Sequence, residues 1–393
     1  MGEGCQDGAM PTTNRIFEQD HDLFRKSVRD FIATEMVPHF ATWESEGIMD
    51  REIYAKAAGY GFIGFNLPEE YGGGGTTDFR FNTVVTEELC RANMGGAGNG
   101  IGLVNDITTP YFAEYCTPEQ SERWIPGMAR GELITAIAMT EPGTGSDLAG
   151  IASTAVRDGD DFILNGSKTF ITNGINSDLV IVVCRTNPDA GRNGLSLLVV
   201  ERGMDGFERG RNLDKIGQHS ADTAELSFTD VRVPATNVLG EEGRALEYLG
   251  FNLAQERLSI GVMGIAVSAA ALAWTVEYVK ERTAFGQPIA SFQNTKFVLS
   301  EIATEVAVTQ PFMDQCVLKL NAGELSPAEA AMAKLWGSEL QNRVTDRCLQ
   351  LFGGYGYMSE YPIATAYADA RIATIYGGTS EIMKTIISKD VLK

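Results

Sequence analysis

The chain has little positive charge, almost no histidine and no paired cysteines, and each shortage removes a class of function. Its 32 Lys and Arg stand against 52 Asp and Glu, a formal net charge of −20 that repels a phosphate backbone and excludes nucleic acid as a partner. The three histidines, His21, His39 and His219, share no ligand-like spacing. The six cysteines, Cys5, Cys90, Cys116, Cys184, Cys316 and Cys348, contain no C-x-x-C. No metal centre is expected, and the location is read as reducing and cytoplasmic. Residues 1–20 carry Glu3, Asp7, Glu18 and Asp20 and lack the apolar centre of a signal peptide. Long apolar runs are equally scarce. Only Leu258 to Val276 approaches membrane length, and it is rich in Ala, Gly and Ser, has no aromatic belt, and is bracketed by Glu256, Arg257 and Glu277. It reads as a helix packed inside a bundle, not a membrane span.

What remains is ordinary globular material. With 393 residues, 44% of them hydrophobic, the chain is long enough for two or three domains. The pattern divides it into three blocks, at residues 1–133, 134–241 and 242–393.

The first block is helical. Leu23, Phe24, Val28, Phe31 and Ile32 form one amphipathic stripe, and Thr117-Pro118-Glu119-Gln120 offers an N-cap, an N1 proline and a capping-box glutamine. A run at Gly72 to Gly75 breaks it.

The second block changes to short β-branched runs at 152–156, 161–164, 179–183, 195–200 and 224–228, after an apolar run at 134–138. With no helical pattern between them, these predict an antiparallel barrel or sandwich. In the third block the helical period returns. Ser326-Pro327-Ala328-Glu329 is a capping box with proline at N1, and Gly353-Gly354 stops the helix it opens. The whole is an α+β chain.

Two segments carry candidate chemistry. Met139-Thr140-Glu141-Pro142-Gly143-Thr144-Gly145-Ser146 is a glycine-rich turn whose backbone amides and hydroxyls can face an anion or an electron-rich ring. Phe170-Ile171-Thr172-Asn173-Gly174, with Asn165-Gly166-Ser167-Lys168 before it, reads as a hairpin.

Taken together and in this order, ITAIAMTEPGTGSDLAGI, LNGSKTFITNG, ERTAFGQPIASFQ and QLFGGYGYMSEYPIATAYADARIATIYGGTSEIMK resemble the signature segments of the acyl-CoA dehydrogenase flavoproteins. The resemblance runs from about residue 15 to the C-terminus. It implies an N-terminal helical domain, a middle β domain, a C-terminal four-helix bundle, FAD, and a homotetramer. The QERL and DKIGQHSADTAELSF segments look nearest to the long-chain type, with isovaleryl-type, branched-chain members as the competitor.

The resemblance also implies roles. Ile137, Ala138, Met139, Thr140, Gly145, Ser146, Phe170, Ile171 and Thr172 would form the flavin-ring site, with Thr140 at the pyrimidine end and Thr172 near N5. Hydroxyl donors there favour the negative charge of the reduced ring. Arg282, Thr283, Ala284, Phe285, Phe292 and Gln293 would reach the FAD of a neighbouring subunit. Gln350, Leu351, Phe352, Gly353 and Gly354 would close over the same dinucleotide, and Thr379, Ser380 and Glu381 would make the last contacts.

Many relatives place the essential glutamate just before the Gly-Thr of the C-terminal motif, where Ile375-Tyr376-Gly377-Gly378-Thr379 has glycine. The other family position falls in Ala254-Gln255-Glu256-Arg257-Leu258, and Glu256 fits it. The implied reaction is α,β-dehydrogenation of an acyl-CoA thioester to the trans-2-enoyl-CoA, Glu256 removing the α proton as the β hydride passes to N5. Ser146, Ala254, Gln255, Arg257, Gly377 and Gly378 would hold the substrate. An electron-transferring flavoprotein is the implied acceptor. An acyl-CoA oxidase-type activity and a non-catalytic acyl-CoA-binding subunit are the alternatives. Met94 to Gly102 falls where relatives shape the end of the acyl pocket, and its glycines suggest either a deep cavity or a flexible loop.

Overall fold

The computed structural model describes residues 15–393. Cys5, Glu3, Asp7 and the start of the signal-peptide reading lie outside the described residues. The described residues fold into two compact units interleaved in sequence, one formed by residues 26–78 and 96–256, the other by residues 15–25, 79–95 and 257–393. The division therefore cuts across the three blocks of sequence pattern.

The first unit is built on one sheet. Its strands are β1 (Thr135–Ala138), β2 (Thr154–Asp158), β3 (Asp161–Thr172), β4 (Leu179–Arg185), β5 (Leu195–Glu201), β6 (Phe207–Asn212) and β7 (Thr223–Pro234). They run in the order β1-β4-β2-β3-β7-β6, with β5 also paired to β4. Most pairs are antiparallel, but β1 lies parallel to β4, with Thr135 opposite Leu179 and Ala138 opposite Val182, and β2 meets β4 in parallel at Thr154 and Arg185. The purely antiparallel expectation is corrected to that extent. The cause is connectivity: the chain leaves β1 through the glycine-rich turn and re-enters at β4 only after β2 and β3 have formed.

Strands β4 and β5 are buried on both faces, and their near-continuous Val, Ile and Leu content reflects this. Ile181, Val183, Leu197 and Val199 pack with Tyr111, Phe112, Trp124 and Met128 of the helices. Val180, Val182, Leu198 and Val200 pack with Phe162, Leu164, Leu226, Phe228 and Val233 inside the curl of the sheet. The strand β6 was not foreseen, because FERGRN has the composition of a loop. It is held at the edge by backbone pairing to β7.

A second correction concerns 161–172. The structure has no hairpin at Asn165-Gly166. The strand runs through, with a register irregularity on either side of Lys168. Gly166 is required because its φ is 149° and a Cβ there would stand 2.2 Å from Ser153 Oγ.

The second unit is helical. Pro327–Phe352 starts on the foreseen Ser326 box, both halves of which are formed, and ends at Gly353 with φ 61°. Gln293–Asn321 and residues 257–281 of the helix Ala245–Glu281 pack with it through Leu258, Val262, Ile265, Ile302, Val306, Leu340 and Val344. Ala245–Glu281 is the one described helix long and apolar enough to cross a membrane, and most of its apolar stretch is buried in the fold.

Two smaller expectations fail. Leu23, placed on the buried stripe, is 62% exposed on the helix Gln19–Phe31. The Gly95–Gly102 segment, read as a possible flexible loop, is an α-helix. Within it, a Cβ on Gly100 would lie 2.2 Å from the Tyr54 hydroxyl oxygen and 2.6 Å from Asn173 Oδ1, so this glycine serves close packing.

Candidate active site

In the sheet unit, the Met139–Ser146 turn follows β1 and closes on itself. The amide of Glu141 donates to Thr144 O at 2.9 Å, and that of Thr144 donates back at 3.1 Å. Gly145 and Ser146 are exposed, and Met139 and Thr140 are half-buried. The amide of Thr169 donates to Thr140 O at 3.0 Å, so the turn and the end of β3 lie side by side. Phe170, next along, has φ 60°, and the bulge turns its ring outward until it is 68% exposed.

Thr172 is half-buried. Ile171, between the two, points the other way into the sheet core, as do Ala138 and, on the helical face, Ile137. Only the backbone of those three residues remains for a ligand. The arrangement of one exposed aromatic face and two half-buried threonine residues, one in the turn and one at the end of β3, is chemically suited to a planar, hydrogen-bonding ring such as a flavin.

A buried ion pair locks this pair of segments. Lys168 Nζ, wholly buried, donates to Met139 O at 3.0 Å and to Glu141 Oε1 at 2.9 Å. Glu141 also accepts the amides of Ala152 and Ser153, at 2.7 and 2.9 Å. Burial pushes the Lys168 ammonium below its ordinary value, against the opposing pull of Glu141. The pair was missed from the sequence. A signal existed, since Lys168 falls on the inward row of a strand whose other inward residues, Phe162 and Leu164, are apolar.

Glu256 sits on the last turns of the helix Ala245–Glu281 that belong to the sheet unit, and is buried. The Tyr111 hydroxyl, from the helix Thr109–Tyr115, donates to its Oε1 at 3.0 Å. Tyr111 is itself fully buried, and burial first, the Glu256 charge second, push its phenol well above the ordinary range. One residue back, Gln255 Nε2 donates to Asp106 O at 2.7 Å, and Asn252 Nδ2 reaches the Tyr115 hydroxyl at 3.4 Å. Ala254 is half-buried and Arg257 buried. These contacts fix the rotation of the helix that presents Glu256.

The remaining site residues lie in the helical unit. The hairpin Thr283–Ala284 with Gln287–Pro288 carries Phe285 at its tip, 96% exposed with φ 54° and edge-on to Phe292. Arg282 is exposed, its guanidinium 5.3 Å from the centre of the Tyr355 ring. Gln293 and Gln350 are exposed, Gly353 and Gly354 likewise, while Leu351 is half-buried and Phe352 stacks on Tyr278 inside the bundle. Thr379 caps the helix Ser380–Val391, accepting from the amide of Ile382. Ser380 is buried and Glu381 exposed.

Gly377 and Gly378 have φ of 61° and 99°, and a Cβ on Gly377 would stand 2.3 Å from Ile260 Cδ1. The carbonyl of Gly378 accepts from the buried Lys334 Nζ at 2.6 Å, a contact with no sequence signal beyond a lysine on an apolar helix face.

The chain runs helical, then β, then helical, with an exposed glycine-rich turn on the sheet and a buried carboxylate on a long helix, an arrangement that suits a flavoenzyme. Comparison with known sequences narrows it. Profiles of the acyl-CoA dehydrogenase N-terminal, middle and C-terminal domains match residues 18–132, 136–231 and 246–392. The mitochondrial long-chain specific acyl-CoA dehydrogenase of Sus scrofa is 49% identical over 380 residues, covering 96% of this chain and 88% of its own.

The crystal structure of an acyl-CoA dehydrogenase from Geobacillus kaustophilus superposes with a TM-score of 0.94 at 48% identity, over 96% of this chain and all of the other. A glutaryl-CoA dehydrogenase from Mycobacterium smegmatis, solved in complex with FADH2, superposes with a TM-score of 0.90 at 26% identity, over 97% of this chain and 96% of its own. This chain belongs to the acyl-CoA dehydrogenase family, whose members are FAD flavoproteins.

Proposed function

We propose that the protein dehydrogenates straight-chain acyl-CoA thioesters of medium to long acyl length at the α,β bond, with Glu256 as the base. The observation that carries this reading is the Glu256 carboxylate, buried on a fixed helix and hydrogen-bonded by Tyr111. An α C–H is a weak acid, and a carboxylate removed from bulk water is a stronger base than one on the surface. Glu256 takes the α proton onto a carboxylate oxygen. FAD, when bound, supplies the acceptor for the hydride that leaves the β carbon. Thr140 and Thr172 would hold its ring through their hydroxyls and Phe170 through its aromatic face.

The 49% identity to a relative named as long-chain specific supports the length class. We further propose a homotetramer: the bare Phe285 and the exposed Arg282 and Gln293 suit contact with a second copy and with the dinucleotide it holds. An electron-transferring flavoprotein is the proposed acceptor. A cytoplasmic setting accords with the five described cysteines, Cys90, Cys116, Cys184, Cys316 and Cys348, all unpaired.

The test is direct. Purified protein should carry flavin absorbance that bleaches anaerobically on adding dodecanoyl-CoA, faster than with butyryl-CoA or isovaleryl-CoA. Flavin that stays oxidised with every thioester removes the dehydrogenase reading. Sedimentation of the wild type and of Arg282→Ala, with flavin content measured on both, tests the assembly.

A further inference from the structure

We propose that Tyr111 is a positioning residue that sets both the direction and the basicity of Glu256, an inference that rests on Glu256 being the base. The two side chains come from separate helices, Thr109–Tyr115 and Ala245–Glu281, so neither is positioned by the other's local backbone. The contact is 3.0 Å long and wholly buried. A hydroxyl donor favours the ionised form of the carboxylate it faces, while burial favours the neutral form. Tyr111 therefore opposes the burial and favours the ionised carboxylate over the neutral acid.

The geometry leaves Tyr111 only that role. Its ring packs in the cluster of Leu103, Phe112, Trp124 and Ile181, which fixes where the hydroxyl points. The π-helical segment Leu103–Thr108 leads directly into the helix that carries it. A π-helical stretch is uncommon, and this one rotates the following turn relative to a regular α-helix. Charged and titratable groups on the neighbouring helical elements include Asp106, Tyr111, Glu114 and Tyr115, with Arg257 next to Glu256 in the chain. Tyr111 donates to Oε1. Tyr115 instead stacks on Tyr248 at 4.1 Å, and Asp106 offers its backbone carbonyl to Gln255.

The experiment measures the anaerobic rate of flavin reduction by dodecanoyl-CoA between pH 5 and pH 9, in holoenzyme whose flavin content is verified. For Tyr111→Phe the acid limb of the profile should move up by about one pH unit, because the ionised carboxylate has lost its donor. Below the acid limbs of both profiles the variant should then be slower by roughly tenfold, and the rates should converge on the alkaline side. Installing 3-fluorotyrosine at position 111 keeps the volume and makes the hydroxyl a stronger donor, so its acid limb should move down. Opposite displacements in the two proteins are something a packing role cannot produce.

If both profiles superpose on the wild type while Glu256→Gln abolishes flavin reduction, Tyr111 only fills space and the proposal is overturned with the base assignment intact. If Glu256→Gln reduces its flavin at the wild-type rate, the base assignment fails, and this inference with it.

Discussion

Residues 256 and 377, the two positions that the family resemblance offers for the base, differ in their surroundings: one holds a buried carboxylate and the other a glycine in left-handed backbone. Around Glu256 the fold supplies a buried, oriented hydroxyl donor, and its helix is tied to neighbouring elements through Gln255 to Asp106 O and Asn252 to the Tyr115 hydroxyl. Around Gly377 it supplies a left-handed backbone and a methyl group of Ile260 where a Cβ would be. The glycine is thus more than a missing acid. A side chain there would have to displace the end of Ile260 and adopt a left-handed backbone, which disfavours a carboxylate at this position.

The largest expected effect breaks the first half of that comparison. Glu256→Gln keeps volume and hydrogen bonding but cannot take a proton, so flavin reduction by substrate should fall by about 10² to 10⁴-fold. Binding of the thioester should survive, as seen in equilibrium titration of the oxidised protein. Loss of binding together with rate would mean that Glu256 holds substrate and does not act as a base.

Next in size is the ion pair beneath the glycine-rich turn. Lys168→Met leaves Glu141 buried beside two amides without its cation, and removing one partner of such a pair costs about 3–5 kcal/mol. Urea unfolding should show that loss, and flavin content should fall with it, since Lys168 Nζ also holds Met139 O. The double change Lys168→Met with Glu141→Leu should recover part of the stability, yet not the flavin, because the Met139 carbonyl stays untethered.

The second half of the comparison is sharpened by Gly377→Glu. A side chain in left-handed backbone costs about 1–2 kcal/mol, and forcing it against Ile260 adds about 1–3 kcal/mol. Adding Ile260→Ala should return the second portion and not the first, which a double-mutant cycle on thermal unfolding separates. Activity restored to a Glu256→Gly background should appear only when Ile260 has been cut back. Restoration by Gly377→Glu alone would show that the site was never closed.

How much of this was legible beforehand follows from what sequence patterns encode. The capping boxes at Thr117 and Ser326 were readable because a helix start is a local matter of three or four residues, and both formed. The apolar runs of β4 and β5 were readable because buried strands are uniformly apolar. Strand β6 was not, since an edge strand of FERGRN is held by its neighbour's backbone and not by its own side chains. The packing role of Gly100 was not legible for a related reason. The spacing of the glycines around it says that something approaches closely, but it takes the fold to show that Tyr54 and Asn173 are what approaches. Glu256 was identified through family likeness, whereas Tyr111, Lys168 and Lys334 depend on contacts across 145, 27 and 44 residues that no local pattern records.

The smallest expected effect concerns Lys334, which tethers the glycine turn from below by donating to Gly378 O. Burial first, and then the nearby Arg257 charge, push its ammonium from the ordinary 10.5 down to about 8. Between those two values the unfolded chain holds the more protons, so this residue makes stability rise with pH across that window. Below pH 8 the buried charge is a cost that the bond to Gly378 only partly offsets. Above it the neutral amine still donates, and the cost is gone. Lys334→Met removes the titration, so the wild type should gain thermal stability relative to the variant as pH rises from 7 to 10, by a few degrees at most for a chain of this size. Two melting curves that stay parallel across that range would mean that Lys334 keeps an ordinary lysine pKa, and that the turn is held by Ile260 and the glycine backbone alone.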